Sequence, residues 1–379
     1  MSRTLVITND FPPRVGGIQS FVHNLACQLP PDELVVYASR WEGAEAFDKA
    51  QPFPVVRHPT SLLLPTAGAL RRARAIATEY RCDSVWFGAA APLGLLAGPL
   101  RRDPGIAQIV ASTHGHEVGW AKLPGARQLL ARIGRECDTV TYLGEYTLQR
   151  LSAACGPETH FERLPSGVDT AAFSPDADGA GVRRRYGLSD RPVIVCVSRL
   201  VARKGQDVLI QALPEIRRRV PDAALLLVGA GPYRKQLERM VADGGHERDV
   251  VFSGSVPFAE LPAHYAAGHV FAMPCRSRLR GLEVEGLGIV YLEANACGLP
   301  VVAGDSGGAP DAVLEGVTGH VVDGRQVAEV AARVSELLGD ESKRTTMGDA
   351  GREWVSREWR WPTLAARLRE LLQPSSPDA

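Results

Sequence analysis

The architecture is most apparent in one segment, Val193-Ile-Val-Cys-Val-Ser-Arg-Leu-Val-Ala-Arg-Lys-Gly205. Its first five residues are all apolar and predict a buried strand. A basic turn that ends in glycine follows, and residues 206–220 have the spacing of an amphipathic helix. A buried strand, a turn and a helix in succession form the repeating unit of an α/β protein with a parallel sheet.

The same alternation of strand and helix occurs on both sides of that segment. Upstream, strands are predicted at residues 5–7, 34–37, 55–56, 84–87, 109–112 and 139–142. Downstream, strands are predicted at residues 224–228, 250–252, 270–273 and 301–303. The predicted fold class is therefore α/β, with two Rossmann-like domains that face a central cleft and ligands beyond the carboxyl ends of the strands.

Proline and glycine mark the junction between the two halves, in the segment Leu164-Pro-Ser-Gly-Val-Asp-Thr-Ala-Ala-Phe-Ser-Pro175. A Trp-rich helical stretch broken at Pro362 ends the chain. The predicted divisions are an N-terminal domain over 1–168, a C-terminal domain over 169–352 and a helical tail over 353–379 that packs back on the N-terminal domain.

Composition limits the classes of partner and compartment. The formal net charge is zero, so no global field recruits nucleic acid, and no nucleic-acid partner is expected. Seven scattered cysteines without a CxxC pair predict buried thiols in a reducing cytosol, not disulfides or a zinc site. The chain starts directly with a strand, and no apolar run reaches the ~18–20 residues of a membrane span. We therefore expect a cytoplasmic protein.

Two cations follow the strand at residues 193–197. Arg199 and Lys204 lie at its carboxyl end and ahead of a helix N-terminus. Two positive charges and a helix dipole in one place suit a diphosphate. The alternative interpretation is a solvated basic turn.

Two carboxylates, Glu285 and Glu293, are separated by seven residues, with glycines beside the first. Glu285 is predicted in a loop and Glu293 on the helix that follows, at residues 289–297. A carboxylate buried in so apolar a helix needs a hydrogen-bond partner, and a ribose diol would serve. An exposed glutamate on the helix face is the alternative.

Further candidate site residues follow two predicted strands of the first half. His114 and His116 come after the strand at residues 109–112, with Glu117 beside them. A metal site is not expected there because no third and fourth ligand is spaced nearby. Gly16 and Gly17 follow the first strand and allow the backbone to approach a phosphate at a helix start.

These features together resemble the retaining glycosyltransferases of family 4, which have the GT-B fold. The resemblance covers nearly the whole chain. Its most specific elements are Glu285 with Glu293, the segment from Ser198 to Gly205, and Ser166-Gly-Val-Asp169, where family members commonly have Asn in place of Ser166.

The resemblance implies a role for individual residues. Arg199 and Lys204 would hold the donor diphosphate, Glu285 would lie near the transferred sugar and phosphates, and Glu293 would bind the donor ribose. The catalytic residues implied are His114, Glu285, Arg199 and Lys204. Gly16 and Gly17 would face the diphosphate, and His114 would contact the sugar, with His116 as a competing candidate. The remaining donor contacts implied are Gly286, Leu287, Gly288 and Ile289, with Ser253 and Val256 in the wall of the base pocket. Acceptor contacts are assigned to Asp10, Gln19 and His116.

Within the family, the Arg-rich run from Cys275 to Glu293 is most similar to the GDP-mannose-dependent phosphatidylinositol mannosyltransferases of actinobacteria, as is Asn9-Asp-Phe-Pro-Pro13. That similarity implies GDP-mannose as donor, a phosphatidylinositol mannoside as acceptor, α-1,6 transfer and no metal cofactor. A lipid acceptor implies peripheral contact with an anionic membrane on its cytoplasmic face. Residues 61–75, with Arg71, Arg72 and Arg74, suit that contact or simply cover the sheet.

Three other functions stay open at this point. A family member using a UDP-sugar or another acceptor has the same motifs, because the sequence does not reveal the base. A nucleotide-sugar epimerase or hydrolase with the GT-B fold would consume donor without acceptor. A non-catalytic sugar-nucleotide binder would also retain the fold. An NAD-linked dehydrogenase is disfavoured because the GxGxxG fingerprint is absent.

Overall fold

The computed structural model describes residues 2–103, 105–281 and 283–374. The chain divides into two compact units, residues 1–167 with 361–379, and residues 168–360. The predicted divisions lie one residue later at the first boundary and eight residues earlier at the second. Each unit is a parallel sheet covered by helices.

The first unit contains a seven-stranded sheet in the order β3-β2-β1-β4-β5-β6-β7. Its strands pair in parallel throughout. They are β1 Thr4–Thr8, β2 Leu34–Ala38, β3 Val55–Arg57, β4 Ser84–Phe87, β5 Gln108–Ser112, β6 Thr139–Tyr142 and β7 Phe161–Arg163. The helices that connect and cover them are α1 Gly17–Gln28, α2 Ala44–Lys49, α3 Ala67–Tyr80, α4 Ala97–Arg101, α5 Glu117–Ala121, α6 Pro124–Glu136 and α7 Glu145–Cys155.

The second unit contains a six-stranded sheet in the order β10-β9-β8-β11-β12-β13, also parallel. The strands are β8 Val193–Val197, β9 Ala224–Val228, β10 Val250–Gly254, β11 Val270–Met273, β12 Val301–Gly304 and β13 Gly319–Val322. The helices are α8 Gly179–Arg185, α9 Gln206–Arg219, α10 Arg234–Asp243, α11 Leu261–Ala266, α12 Ile289–Ala296, α13 Val327–Gly339 and α14 Glu341–Glu358.

The last helix, α15 Trp361–Leu372, belongs to the first unit. Successive side chains of β1 point to opposite faces of the sheet, so Leu5 and Val6 enter different cores. Leu364 and Leu368 of α15 join the Val6 core beside α1. The C-terminal helix therefore completes the hydrophobic core of the N-terminal sheet.

Every predicted strand is confirmed within two residues. The structure contains two further strands that were not predicted, and it differs from prediction in the tail, at one cysteine and at one helix start. The strands β7 and β13 were not predicted, because Glu162 and Arg163 interrupt the first and Gly319 begins the second. The break in the tail precedes Pro362, which lies in the first turn of α15, where a missing N–H costs nothing.

The other two differences concern a thiol and a helix start. Six cysteines are buried as predicted, whereas Cys27 is exposed. The polar end of α1 turns that side chain outward, next to His23, whose Nε2 lies 3.4 Å from the sulfur. The basic segment predicted at residues 61–75 becomes helical only at Ala67, after Thr66 caps the helix by accepting from Ala69 N.

Candidate active site

The strand order of the second unit reverses between β8 and β11. Parallel α/β sheets bind ligands at such a switch point, beyond the carboxyl ends of the strands. The segment Ser198–Gly205 follows β8, and the segment 274–288 follows β11. The predicted cations and Glu285 therefore lie on the two loops that border the switch point.

Lys204 and Glu285 form a buried ion pair between these loops. Lys204 Nζ lies 2.7 Å from Glu285 Oε2, and the two residues are 8% and 7% exposed. Arg203 Nη1 donates to the same oxygen at 2.8 Å. Because two cations share one carboxylate oxygen, the cluster carries excess positive charge, and neither contact uses Glu285 Oε1.

Two glycines permit the loops to approach this closely. Gly205 begins α9 with a φ of +80°, and a Cβ there would lie 2.1 Å from the carbonyl oxygen of Pro274. Gly307 has a φ of +59°, and its Cβ would lie 2.0 Å from the carbonyl oxygen of Glu285. A side chain at either position would separate the backbones that hold the ion pair.

Arg199, the other predicted cation, differs from Lys204 in its surroundings. Its side chain is exposed. With Arg203 and Tyr233 it lines a cavity of about 500 Å³. The structure thus pairs one predicted cation with a carboxylate and leaves the other directed to solvent.

A second ion pair, which was not predicted, links the loop after β11 to the first turn of α9. Arg276 donates to both carboxylate oxygens of Asp207, at 2.9 and 2.6 Å. Tyr233 Oη also donates to Asp207, at 3.1 Å, and Arg276 N donates to the carbonyl oxygen of Arg203 at 2.8 Å. The sequence signal was the Arg-rich run itself, in which Arg276 serves as an internal anchor.

The loop that enters α12 contains the other predicted donor contacts. Gly286 is exposed, Leu287 is buried, and Gly288 caps the helix with a φ of +77°. Ile289 begins α12 and is half-buried. Gly308 N donates to the carbonyl oxygen of Glu285 at 2.9 Å, which fixes the start of this loop.

Glu293 lies one turn into α12, and Tyr265 Oη donates to its Oε2 at 2.6 Å. Burial raises the pKa of Glu293 to about 7, and the hydrogen bond from Tyr265 opposes that rise. The same burial raises the pKa of Tyr265 well above its ordinary value, so Tyr265 stays a donor. Tyr265 thus supplies the hydrogen-bond partner that a buried Glu293 requires, and no sequence signal pointed to it. The ribose diol stays a prediction.

Ser253 and Val256, the predicted wall of a base pocket, lie at the carboxyl end of the edge strand β10. Ser253 is the fourth residue of that strand, and its hydroxyl donates to the carbonyl oxygen of Gly254 at 3.0 Å. Val256 follows the strand and is half-buried. The guanidinium of Arg234 lies 5.5 Å from the ring centre of Phe252 beside them.

In the first unit, the strand order reverses between β1 and β4. The segment after β1 carries the predicted residues Asp10, Gly16 and Gly17. Gln19 Nε2 donates to Asp10 Oδ1 at 2.6 Å, so two of the three predicted acceptor contacts are hydrogen-bonded to each other. Gly16 caps α1, and no side chain of the described residues caps its first turn.

His114 follows β5, and its Nε2 lies 2.6 Å from the carbonyl oxygen of Gly88 after β4. A carbonyl only accepts, so Nε2 carries the hydrogen and Nδ1 is left as an acceptor. Burial lowers the pKa of His114, which keeps the ring neutral; the nearby charge of Glu117 opposes that effect. Glu117 is fully buried, accepts from His114 N at 3.0 Å and lies 3.4 Å from His116 Nε2.

The basic segment after β3 separates into two parts. Arg71 and Arg72 are exposed on α3, while Arg74 donates to Asp103 at 3.0 Å and to the carbonyl oxygen of Pro99. Leu62 and Leu64, just before the helix, are 56% and 45% exposed. Only Arg71 and Arg72 therefore resemble a surface for anionic lipid.

Two properties of the described residues bear on cofactors and membranes. Within residues 2–103, 105–281 and 283–374, no group of three or more His, Cys, Asp or Glu side chains is placed to hold a metal ion. None of the helices described is both long and apolar enough to span a bilayer.

Comparison with known families gives two matches along the chain. The model described as "Glycosyltransferase Family 4" matches residues 15–172. The model described as "Glycosyl transferases group 1" matches residues 182–354. The two matches fall on the two α/β halves.

Curated relatives resemble the chain over almost its full length. A protein of Mycolicibacterium smegmatis, a GDP-mannose-dependent alpha-(1-6)-phosphatidylinositol monomannoside mannosyltransferase, is 56% identical over 97% of both chains. A Mycobacterium tuberculosis protein of the same name is 53% identical over 98% of both. A Corynebacterium glutamicum protein, named for the monoacylated form of that acceptor, is 48% identical over 98% of both.

Solved structures share the fold at lower identity. Anabaena Alr3699/HepE in complex with UDP superposes with a TM-score of 0.81 at 22% identity, over 98% of this chain and 99% of that one. A glycosyltransferase from Rickettsia africae gives a TM-score of 0.80 at 15% identity over the whole of both chains. On the family models, the full-length relatives and the two parallel sheets together, this chain belongs to glycosyltransferase family 4 and has the GT-B fold.

Proposed function

We propose that this chain transfers mannose from GDP-mannose to a phosphatidylinositol monomannoside and forms an α-1,6 linkage. The observation that carries the proposal is identity of 48–56% over 97–98% of the chain with relatives whose names specify this donor and acceptor. We also propose that the chain acts at the cytoplasmic surface of an anionic membrane. The transfer is proposed to need no metal ion.

The cation cluster of the second unit supports the role proposed for the donor diphosphate. Arg203 and Lys204 share the carboxylate of Glu285, and the exposed Arg199 lines the adjoining cavity with Arg203, so positive charge predominates at this site. As the bond from sugar C1 to phosphate oxygen breaks, negative charge grows on the diphosphate. Fixed cations already held in place stabilise that charge without reorganising.

Glu285 has two functions in this proposal. Its Oε2 orients Lys204 and Arg203, which would otherwise bring two unpaired cations close together. Its Oε1, which neither contact uses, accepts a hydroxyl hydrogen of the sugar. The backbone of Glu285 is also fixed, since its own N–H donates to Ser306 Oγ at 3.3 Å.

Glu293 is proposed to bind the ribose diol of the donor. Its carboxylate oxygen Oε2 already accepts from Tyr265, which fixes the side chain. In the ionised form, the other oxygen accepts from both ribose hydroxyls. In the protonated form, the carboxyl group is neutral and carries a hydrogen, so it accepts these hydrogen bonds much more weakly. The pKa of about 7 therefore makes donor binding sensitive to pH.

His114 is proposed to contact a sugar hydroxyl through Nδ1. The neutral ring donates through Nε2 to the carbonyl oxygen of Gly88, so Nδ1 accepts. A neutral acceptor orients a hydroxyl without attracting a further proton. The assignments of His116 to the sugar and of Gly16 and Gly17 to the diphosphate stay predictions.

The family resemblance implies retention of configuration, and the proposed step follows from it. The C1–O bond to the diphosphate breaks, and the acceptor hydroxyl oxygen forms its bond to C1 on the same face. The hydroxyl proton passes to the departing phosphate oxygen. Lys204 and Arg199 take the role of stabilising the diphosphate that a divalent cation has in other transferases.

The decisive experiment is a screen of donors and acceptors with the purified chain. GDP-mannose with phosphatidylinositol monomannoside in vesicles is expected to give a dimannoside, identified by mass spectrometry and linkage analysis. Activity that persists in EDTA supports the metal-independent step. A chain that binds UDP-sugars and not GDP-mannose, measured by thermal shift, would overturn the donor assignment.

Two further outcomes separate the other functions. Steady consumption of GDP-mannose without acceptor would indicate a hydrolase or epimerase. Binding of GDP-mannose with no product from any acceptor would indicate a non-catalytic binder. Acceptor-dependent turnover distinguishes the proposed transferase from both.

A further inference from the structure

A cavity of about 570 Å³ in the first unit has no role in the function described so far. Trp41, Glu42 and Glu45 line it from the segment after β2, and Ser61 lines it from the segment after β3. It lies beyond the carboxyl ends of these strands, where α/β sheets bind ligands. Its volume is in the range of pockets that hold small molecules, roughly 300–1,000 Å³.

The cavity connects to residues already assigned to the acceptor. Asp10 accepts from Gln19, and the guanidinium of Arg14 lies 3.7 Å from Asp10. The same guanidinium lies 5.0 Å from the ring centre of Trp41. The chain of contacts runs from Gln19 through Asp10 and Arg14 to Trp41, so the acceptor contacts and the cavity wall are physically continuous.

The two loops that form the cavity are fixed to each other and to β1. Arg40 N donates to the carbonyl oxygen of Thr60 at 2.9 Å. Trp41 Nε1 donates to Ser39 Oγ at 3.2 Å, and Ser39 Oγ donates to the carbonyl oxygen of Asn9 at 3.0 Å. Trp41 is therefore a held side chain, partly exposed, and its indole nitrogen is already satisfied.

The lining indicates the chemistry of the ligand. An indole ring with Pro59 offers an apolar surface for the C–H face of a ring. Glu42, Glu45 and the guanidinium of Arg40, which lies 2.7 Å from Glu45, offer acceptors and donors for hydroxyls. Two carboxylates against one guanidinium disfavour a phosphate, so the lining fits an uncharged polyhydroxylated ring.

The border of the cavity indicates that this ring is attached to a lipid. Ser61 of the lining is followed by the exposed Leu62 and Leu64. Asn9 fixes that segment, since its amide donates to the carbonyl oxygen of Leu63 and its Oδ1 accepts from Leu63 N. The hydrogen bonds of Asn9 hold this segment in place, with Leu62 and Leu64 exposed. Exposed leucines at the border of the cavity suit contact with acyl chains at a membrane surface.

We infer that the cavity beside Trp41 binds the cyclitol or sugar ring of the acceptor headgroup, with Trp41 as its stacking platform. The inference rests on the proposed function and adds a specificity-determining residue to it. Trp41 and Glu42 are expected to act on the acceptor alone, because both belong to the first unit, whereas the cations proposed for the diphosphate belong to the second.

The test compares Trp41→Ala, Trp41→Phe and a control, Lys49→Ala, at the exposed far end of α2. Trp41→Ala is expected to raise the acceptor KM about tenfold and to leave the KM for GDP-mannose unchanged. Trp41→Phe restores most of the loss, because a ring surface remains. Lys49→Ala behaves as wild type, and thermal unfolding identifies any variant that fails to fold.

A second measurement uses the deacylated headgroup, glycerophosphoinositol monomannoside, which is water-soluble. Calorimetry is expected to show binding to the wild-type chain and about tenfold weaker binding to Trp41→Ala. A variant that loses activity on vesicles yet binds the soluble headgroup normally would place Trp41 against the bilayer and overturn the inference. Wild-type turnover with an unchanged acceptor KM in Trp41→Ala overturns this inference alone, whereas a wild-type chain that makes no dimannoside overturns the proposed function.

Discussion

The two units place ionisable side chains at corresponding edges of their sheets in opposite ways. In the second unit, Lys204 is buried against Glu285, and Arg276 is held in a fork on Asp207. In the first unit, His114 is neutral through burial, and the cations Arg71 and Arg72 are exposed on α3. These two cations of the second unit are therefore held by carboxylates, whereas in the first unit His114 is neutral and Arg71 and Arg72 are free to meet a surface.

This difference corresponds to the ligands that each unit is proposed to bind. A diphosphate has a fixed geometry and gains charge during the reaction, so it needs cations already in position. A glycolipid headgroup offers hydroxyls to hydrogen-bonding side chains such as His114, and its anionic lipid neighbours attract exposed cations. If the correspondence is correct, changes in the second unit will alter catalysis, and changes in the first will alter acceptor and membrane binding.

Lys204→Ala tests the fixed charge and has the largest expected effect. Loss of one preorganised cation at the departing diphosphate is expected to lower kcat about 100- to 1,000-fold, because the charge that develops in the transition state loses a partner. Initial rates with saturating GDP-mannose measure the loss, and circular dichroism checks the fold.

The matched control is Lys235→Ala, which removes an exposed lysine from α10 of the same unit. It is expected to leave kcat unchanged. The variants Lys204→Met, Glu285→Gln and their combination then form a cycle that measures the coupling between the two side chains, with Arg203 left in place throughout. Wild-type kcat in a folded Lys204→Ala variant would end the assignment of this cluster to the diphosphate.

Neutralising Arg71 and Arg72 tests the exposed cations of the first unit. Each basic residue near an anionic bilayer contributes ~1 kcal/mol, so Arg71→Gln with Arg72→Gln is expected to weaken vesicle binding about 30-fold. Flotation with vesicles containing phosphatidylinositol measures it, at low and high salt, because exposed charges are screened.

Arg74 provides the comparison within the same helix. Its guanidinium pairs with Asp103, so Arg74→Gln is expected to lower stability slightly and to leave flotation unchanged. Undiminished flotation of the Arg71 and Arg72 double variant would exclude this patch as the membrane surface. Neither variant is expected to change the turnover of a soluble headgroup acceptor.

Much of the fold follows from sequence because its strands are apolar runs and its turns contain glycine and proline. The strand at Val193–Val197 is an example, fully buried and immediately followed by the basic turn. The strand β7 was missed because a three-residue strand with Glu162 and Arg163 has neither a hydrophobic run nor an alternation.

The site was predicted less completely, because sequence separates residues that the fold brings together. Lys204 and Glu285 were each identified, but their ion pair spans 81 positions of sequence. Tyr265 was missed as the partner of Glu293, since an aromatic residue in an apolar helix resembles core. Trp41 was missed for a similar reason: only the fold places it beside Arg14 and a cavity.

The smallest expected effect concerns Glu293, where the two units should differ in their response to pH. Its carboxyl has a pKa of about 7 in the folded protein, against an ordinary 4.5, because burial disfavours the charge. The folded state therefore binds more protons than the unfolded state between these values. The stability contributed by the neutral form is complete below the lower value and is lost as pH rises through the higher one.

Donor binding should show the opposite trend, because the ribose diol needs the ionised carboxylate. Affinity for GDP-mannose is expected to fall about tenfold from pH 8 to pH 6, measured by calorimetry without acceptor. The donor diphosphate is esterified at both ends, so it does not itself titrate in this range. Glu293→Gln should abolish the slope, and Tyr265→Phe should shift it to higher pH by removing the hydrogen bond that lowers the Glu293 pKa.

Acceptor binding provides the contrast, since the pKa of His114 is lowered and its ring stays neutral over the same range. The KM for the soluble headgroup should therefore stay constant between pH 6 and pH 8, the range in which donor affinity changes about tenfold. A flat donor profile in the wild type would remove Glu293 from the ribose. A sloping acceptor profile that His114→Asn abolishes would show that His114 binds the acceptor in a charged form, and the contrast between His114 and Glu293 would no longer hold.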